Sequence, residues 1–213
     1  RDGRTLPDLT DGQVGEYLTD RLTDEAIDFI NVHRQEPFFL YLSHYGVHTP
    51  IQGESKLVQY YTEKAGTGGH SNPTYAAMIH SVDNSVGRIL AVLDNLELAD
   101  RTIVIFFSDN GGFGPVTSMA PLRGSKGMLY EGGIRVPLVV RWPTVVPANT
   151  VSDEPVIGLD MFPTILDLTG TPSPEGQVLD GVSLLPLLSR RETLAQRDLF
   201  WHFPAYLQAD DSV

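Results

Sequence analysis

Residues 102–112, TIVIFFSDNGG, decide the fold of this 213-residue chain. The first six residues are β-branched or aromatic and carry no charge, which is typical of a central strand covered on both faces. The strand is predicted to end abruptly at Ser108, where the polar sequence SDNGG begins. Ligands of open α/β sheets bind beyond the carboxyl ends of the strands, so these five residues are the first candidates for chemistry.

Strand-like segments also lie on both sides of this one. Residues 38–42 and 136–140 are short apolar runs, and each predicts a further buried strand. Residues 199–203 predict a strand of a separate small sheet. Between the strands, the sequence predicts helices or loops, and this alternation favours an α/β fold with a mainly parallel sheet flanked by helices.

Three helices are predicted, one before the first of these strands and two between strands. The first starts behind Thr23 as its N-cap and ends near His33. A short one covers residues 160–168 and is ended by Gly170. The longest has apolar residues at helical spacing, namely Met78, Ile79, Val82, Val86, Ile89, Leu90 and Leu93. The stretch 51–73, with its glycines and Pro73, predicts a loop.

The composition excludes several classes of protein. A hydrophobic content of 41% and a charged content of 20% indicate a globular core. The formal net charge of -12 disfavours nucleic-acid binding, which depends on Lys and Arg to neutralise phosphates. No apolar run approaches the roughly 20 residues that span a bilayer, so no membrane partner is expected. The absence of cysteine excludes disulfides, thiolate metal sites and a cysteine nucleophile within these residues.

Asp109 and Asn110 are candidate metal ligands. One carboxylate and one amide on adjacent residues are hard oxygen donors, which suit Ca²⁺ or Mg²⁺. The alternative is an Asx turn, in which both side chains bond to the local backbone before Gly111 and Gly112. The two interpretations stay open at this point.

The stretch from Gly111 to Gly133 contains seven glycines together with Lys126. Glycines allow backbone N–H groups to approach an anion closely, and a lysine among them supplies a compact positive charge. The alternative is an ordinary surface loop with a solvated lysine. In an acidic chain, an anionic substrate requires such a local positive group.

His48 follows the strand predicted at 38–42 and is a candidate proton donor to a leaving-group oxygen. A histidine beside a proline turn is also commonly structural, and this alternative stays open. His44 is either a second polar contact or a residue that ends the strand. His80 and Asp83 on the long helix are expected to cap or pair locally.

Five ordered segments together resemble the sulfatase family, which has the alkaline-phosphatase-like α/β fold. The most distinctive is residues 122–137, LRGSKGMLYEGGIRVP. The others are PFFLYLSHYGVHTPIQ (37–52), TIVIFFSDNGG (102–112), DMFPTILDLTG (160–170) and LDGVSLLPL (179–187). The resemblance covers most of the chain.

The resemblance implies a role for each candidate. Asp109 and Asn110 would be ligands of the active-site Ca²⁺, and Lys126 would contact the sulfate. His48 would contact the sulfate or protonate the leaving oxygen. Glu131 and Arg135 would organise the loop, with a contact to the sulfate as a second role. The substrate implied is a small sulfate ester or a sulfated sugar.

The departures from the family pattern concern the nucleophile. Sulfatases carry Cys or Ser followed by x-Pro-x-Arg, whose first residue becomes formylglycine, and an Asp-Asp metal pair near the N-terminus. Neither occurs at the family position in this sequence. Residues 1–189 are therefore expected to be the C-terminal part of the catalytic domain, and residues 190–213 the start of a small C-terminal subdomain. Without the missing N-terminal segment, we expect no activity and weak or absent Ca²⁺ binding.

Two other functions remain as alternatives. One is a phosphatase, phosphodiesterase or phosphonate hydrolase of the same superfamily, because tetrahedral oxyanions differ little in shape. The other is a non-catalytic remnant that keeps the fold. The compartment is not determined by the sequence; the resemblance suggests a periplasmic, secreted or lysosomal protein.

Overall fold

The computed structural model describes residues 15–204. These residues form two compact units. The first unit contains residues 15–98 and 115–117, and the second contains residues 99–114 and 118–204. No helix in the described range is both long enough and apolar enough to cross a membrane.

The first unit consists of three helices. They are α1 (Leu18–His33), α2 (Ser55–Thr62) and α3 (Pro73–Asn95), and both α1 and α2 pack against α3. The core between them is formed by apolar side chains that are almost fully removed from solvent. These are Ala26, Ile30, Tyr75, Ala77, Met78, Leu93 and Leu98.

The boundaries of α3 have local causes. The Asn72 side chain accepts a hydrogen bond from the Tyr75 backbone N–H at 3.0 Å, and Pro73 occupies the first turn, where its missing N–H is not needed. The helix ends at Asn95, as the turn sequence after it predicts. The predicted long helix is thus confirmed.

Two expectations for the first unit are wrong. The helix α1 starts at Leu18, so Thr23 is not its N-cap but lies fully buried within it. The Thr23 hydroxyl makes its hydrogen bonds to the Thr19 carbonyl and the Ser85 hydroxyl, so it does not cap a backbone N–H at the helix end. The predicted loop 51–73 contains α2, which packs on α3, and the Tyr61 hydroxyl lies 3.1 Å from Nδ1 of His80 on α3.

Residues 38–42 do not form the predicted strand. Their side chains do alternate in exposure, as in a strand, and Phe39 and Tyr41 are 68% and 80% exposed. A strand also needs a neighbour that completes its hydrogen-bond ladder, and the sheet in the described residues does not include this segment. The expectation that 38–42 and 102–107 share a sheet is therefore not met within residues 15–204.

The second unit contains a strand pair and three helices. The strands are β1 (Val104–Phe107) and β2 (Leu138–Arg141), and the helices are α4 (Glu131–Ile134), α5 (Met161–Thr169) and α6 (Leu185–Leu188). Short 3₁₀ turns lie at Ala99–Arg101 and Gly158–Asp160. Gly170 caps α5 in the left-handed region, with φ of 63°, as predicted.

The two strands of the second unit run in opposite directions. β1 and β2 are antiparallel, with Phe106 opposite Val139. Residues 108–137, which connect the two strands, form a loop that contains the four-residue α4. Residues 199–203 form no strand in the structure, and the subdomain boundary near residue 190 stays a prediction.

Candidate active site

The carboxyl end of β1 presents Asp109 and Asn110. The strand ends at Phe107, and the Ser108 hydroxyl donates to the Asn110 carbonyl oxygen at 3.1 Å, which closes a tight turn. Asp109 is exposed, and Asn110 is partly buried. Two oxygen-donor side chains thus stand at the position where ligands of α/β sheets bind.

The backbone after Asn110 holds the loop that carries Lys126. The Gly111 N–H donates to the Gly133 carbonyl at 2.9 Å, and the Lys126 N–H donates to the Gly112 carbonyl at 3.0 Å. The approach is so close that a Cβ on Gly111 would lie 1.8 Å from the Gly132 oxygen. Only glycine fits at position 111, and the two chain segments are therefore fixed to each other.

The same loop has its own internal supports. The Gly132 N–H donates to the Arg123 carbonyl at 2.7 Å, and the Arg123 guanidinium lies 3.9 Å from the centre of the Tyr130 ring. Arg135 forms an exposed ion pair with Glu131 at 3.2 Å. That Glu131 and Arg135 organise the loop stays a prediction.

The donor set at β1 fits part of a calcium site. The Asp109 carboxylate and the Asn110 amide oxygen are the type of ligand that Ca²⁺ takes, but Ca²⁺ requires about 6 to 8 oxygens. Within residues 15–204, no group of three or more His, Cys, Asp or Glu side chains is arranged to hold a metal. These two residues would therefore supply a minority of the ligands of a Ca²⁺ ion, and a complete site would need further donors.

His48 lies in the first unit, in the turn after residues 38–44. Its backbone N–H donates to the Tyr45 carbonyl at 2.9 Å, and its Nδ1 is 3.0 Å from the Thr49 carbonyl oxygen. The Thr49 hydroxyl lies 3.2 Å from the same nitrogen, so a protonated Nδ1 can donate to the carbonyl and an unprotonated Nδ1 can accept from the hydroxyl. In both tautomers Nδ1 is engaged by Thr49, and Nε2 is the ring atom left for another partner. The imidazole is exposed, and Nε2 makes no hydrogen bond to the described residues.

His44 belongs to a buried polar network that the sequence did not indicate. Its Nε2 lies 3.1 Å from the Ser85 hydroxyl of α3, which in turn lies 2.6 Å from the Thr23 hydroxyl of α1. Burial lowers the pKa of His44. The only sequence signal is that Ser85 occupies the apolar face of α3, three residues after Val82 and four before Ile89.

The structure thus brings three of the four candidates into one loop cluster. Asp109, Asn110 and Lys126 belong to the second unit, where backbone hydrogen bonds join their segments. His48 belongs to the first unit. The chemical role of each of the four stays a prediction.

Comparisons with known proteins identify relatives that match most of the chain. The sequence model of the family described as Sulfatase matches residues 2–171. A protein of Formosa agariphila named Sulfatase is 37% identical over 209 residues, which cover 90% of this chain and 38% of that protein. The human steryl-sulfatase is 37% identical over 204 residues, which cover 91% of this chain and 33% of that protein.

A solved structure shares the fold. It is that of Ps i-CgsB in complex with k-i-k-neocarrahexaose, with a TM-score of 0.76 and 36% identity. The match covers 83% of this chain and 39% of that one. The chain therefore spans between one third and two fifths of the length of the proteins it matches.

Proposed function

The chain belongs to the sulfatase family and has the alkaline-phosphatase-like α/β fold, and we propose that it forms part of an enzyme that hydrolyses sulfuric esters. In this proposal, Lys126 contacts the sulfate group, and Asp109 and Asn110 contribute to a Ca²⁺ site. The substrate is a small sulfate ester or a sulfated sugar. The chain matches only part of each relative, so the activity is proposed for the whole enzyme.

One observation carries the proposal. The Lys126 N–H bonds to the carbonyl of Gly112, two residues after Asn110, at 3.0 Å. A cationic side chain and two cation ligands are thereby attached to one rigid loop cluster at the carboxyl end of a strand. A sulfate ester carries negative charge on oxygens that a lysine can bind directly and that a metal can bridge.

The proposed role of Lys126 is electrostatic. The ammonium group donates hydrogen bonds to the sulfate oxygens and offsets their charge, an interaction that strengthens as charge moves in the transition state. Lys126 is half-buried, so water screens it less than a fully exposed lysine. The overall charge of -12 makes this local positive group more important for binding an anion.

His48 is proposed to protonate the departing alcohol. With the Nδ1 proton directed to the Thr49 carbonyl, protonation at Nε2 gives a ring that donates on its open side. Thr49 thereby selects the ring nitrogen that transfers the proton. When bound, Ca²⁺ would polarise the sulfate, and Asp109 and Asn110 would hold it through their side-chain oxygens.

Sulfate binding by the chain tests the assignment of Lys126. We expect inorganic sulfate and 4-nitrophenyl sulfate to shift the amide NMR signals of residues 123–133 and 109–112. Lys126→Ala is expected to weaken this binding by about tenfold, because it removes one charged hydrogen-bond donor. Added Ca²⁺ is expected to change the affinity little, because two ligands make a weak site.

Lys56→Ala is the matched control, since Lys56 is an exposed lysine on α2 and its loss changes the net charge equally. A loss of affinity that is the same for both variants would show that only net charge matters. In that case Lys126 has no sulfate site, and the proposed function loses its main support. Measuring at two salt concentrations separates the local contact from long-range attraction.

A further inference from the structure

We propose that His44 is a positioning residue that anchors the turn carrying His48 to a buried pair of hydroxyl groups between α1 and α3. The catalytic importance of this anchor rests on the function proposed above, in which His48 transfers a proton. The anchor itself depends only on contacts within the first unit. His44, Ser85 and Thr23 form it.

The hydroxyl pair is one of the most deeply buried polar features of the first unit. Thr23 is 0% exposed and Ser85 is 1% exposed, and they join the two helices across the core. A buried hydroxyl is costly unless its hydrogen bonds are made. His44 is the third member, and its Nε2 lies 3.1 Å from the Ser85 oxygen.

Counting hydrogens fixes the directions of these bonds. The Thr23 oxygen lies 2.6 Å from the Thr19 carbonyl, which only accepts, so the single Thr23 proton is used there. The 2.6 Å contact between the hydroxyls of Thr23 and Ser85 then needs the Ser85 proton. Ser85 has no second proton, and the contact with His44 therefore needs a proton on Nε2.

The chain of donors therefore runs from His44 through Ser85 and Thr23 to the Thr19 carbonyl. It requires the neutral Nε2–H form of the His44 ring. The other nitrogen, Nδ1, is buried without a hydrogen-bond partner in the described structure. A proton on Nδ1 would be a buried donor without an acceptor, and burial accordingly lowers the pKa of His44.

The backbone transmits the position of His44 to His48. Midway between them, a Cβ on Gly46 would lie 3.1 Å from the Val82 side chain, so the turn is pressed against α3. The His48 N–H then bonds back to the Tyr45 carbonyl at 2.9 Å. Only three residues, Tyr45 to Val47, lie between the two histidines, and contacts fix the backbone at both ends of this short turn.

The first test is the protonation state of His44. Nitrogen-15 NMR of histidine-labelled chain at neutral pH is expected to show His44 as the Nε2–H tautomer, with a bare Nδ1. The His44 signal is assigned by its loss in His44→Gln. Observation of the Nδ1–H tautomer or of a protonated ring would overturn the donor chain.

The second test reads out His48. In His44→Leu and Ser85→Ala, which remove the donor and the acceptor, we expect the His48 imidazole signals to shift or broaden. His44→Gln is the matched control, because its side-chain amide NH₂ can reach the place of the ring Nε2–H. We expect His44→Gln to keep the wild-type His48 signals. A role in stability alone would not predict this rescue.

Unchanged His48 signals in folded His44→Leu and Ser85→Ala would overturn the proposal. If His44→Leu does not fold, as judged by circular dichroism, the comparison of Ser85→Ala with His44→Gln decides it. These readouts need no sulfate. A chain that shows the expected His48 shifts but no Lys126-dependent sulfate binding would keep the anchor and reject the proposed function.

Discussion

Asp160 is fully buried yet charged, because four donors surround its carboxylate. Arg197 binds it with two nitrogens at 2.6 Å each, and the N–H groups of Ile157 and Val182 donate at 2.9 Å. Burial alone raises the pKa of Asp160, but these hydrogen bonds outweigh it and the pKa lies below its ordinary value. This one side chain therefore joins the start of α5 to two distant segments.

We call the contacts of Asp160 with Arg197, Ile157 and Val182 the Asp160 clamp, and replacing Asp160 by Asn tests this clamp. Asp160→Asn leaves Arg197 largely buried without its counter-charge, and we expect the free energy of unfolding to fall by about 3 kcal/mol. Urea denaturation at pH 7 measures it. The exposed Asp153→Asn is the control and is expected to change stability by less than about 0.5 kcal/mol. Equal effects of the two would rule out the clamp.

The clamp also has a definite pH dependence. The folded-state pKa of Asp160 is depressed, so its ionised carboxylate stabilises the folded chain. This contribution to the free energy of unfolding is complete above the unfolded-state pKa, near 3.8, and is lost as the pH falls through the folded-state pKa. The difference in unfolding free energy between wild type and Asp160→Asn is therefore expected to shrink below about pH 3.8. A difference that stays constant down to pH 2 would contradict an ionised Asp160.

Among the elements, α3 is the one whose ends and faces follow most directly from sequence. Its N-cap Asn72, its first-turn Pro73 and its apolar stripe all act locally, and the helix extends over 23 residues. Both α1 and α2 pack on it, so α3 is the central element of the first unit.

Asn72→Ala is expected to destabilise the first unit by about 1 kcal/mol, because the Tyr75 N–H loses its acceptor. Urea denaturation followed by helical circular dichroism measures the change. Asn72→Ser keeps an oxygen acceptor and should restore most of the stability. An unchanged free energy of unfolding in Asn72→Ala would show that the cap bond is unimportant.

A second variant in the same helix is expected to increase stability. Gly87 is exposed, and an added Cβ would meet no atom within 4 Å, so Gly87→Ala should raise the free energy of unfolding by about 0.5 to 1 kcal/mol.

At the scale of the whole molecule, the chain matches only about a third of the length of its relatives. It contains Lys126, Asp109 and Asn110, but no cysteine and no Ser-x-Pro-x-Arg sequence. We expect that a histidine, a lysine and two oxygen-donor side chains do not replace a covalent nucleophile. On this expectation, the hydrolysis proposed above needs groups beyond these residues.

We expect the purified 213-residue chain to show no turnover of 4-nitrophenyl sulfate, with or without added Ca²⁺. Release of nitrophenolate, followed by absorbance, measures the activity. Lys126→Ala serves as the background control, since it should give the same rate as wild type. Turnover that accompanies the chain through purification and is lost in Lys126→Ala would show that these residues contain a complete active site.

The sequence by itself determined the features that arise within one segment. The ends of α3, the Gly170 cap of α5 and the turn after β1 each depend on residues a few positions apart, and local hydrogen bonding or fixed torsions decide them. The ordered motifs also identified the family, because each preserves residue types at fixed spacing. Asp109 and Asn110 were found as candidates from their place after an apolar strand, and Lys126 from its place among glycines.

Only the tertiary structure decided how distant segments meet. A strand forms only where a neighbouring segment completes its backbone hydrogen bonds, so the alternating pattern of residues 38–42 did not suffice to predict a strand in the described residues. Tertiary structure also decided that β2 pairs antiparallel with β1. The same is true of buried polar groups: Thr23 and Ser85 are 62 positions apart, and Asp160 and Arg197 are 37 apart. Hydrogen bonds between such residues leave no local periodicity, since they form only after the helices have packed.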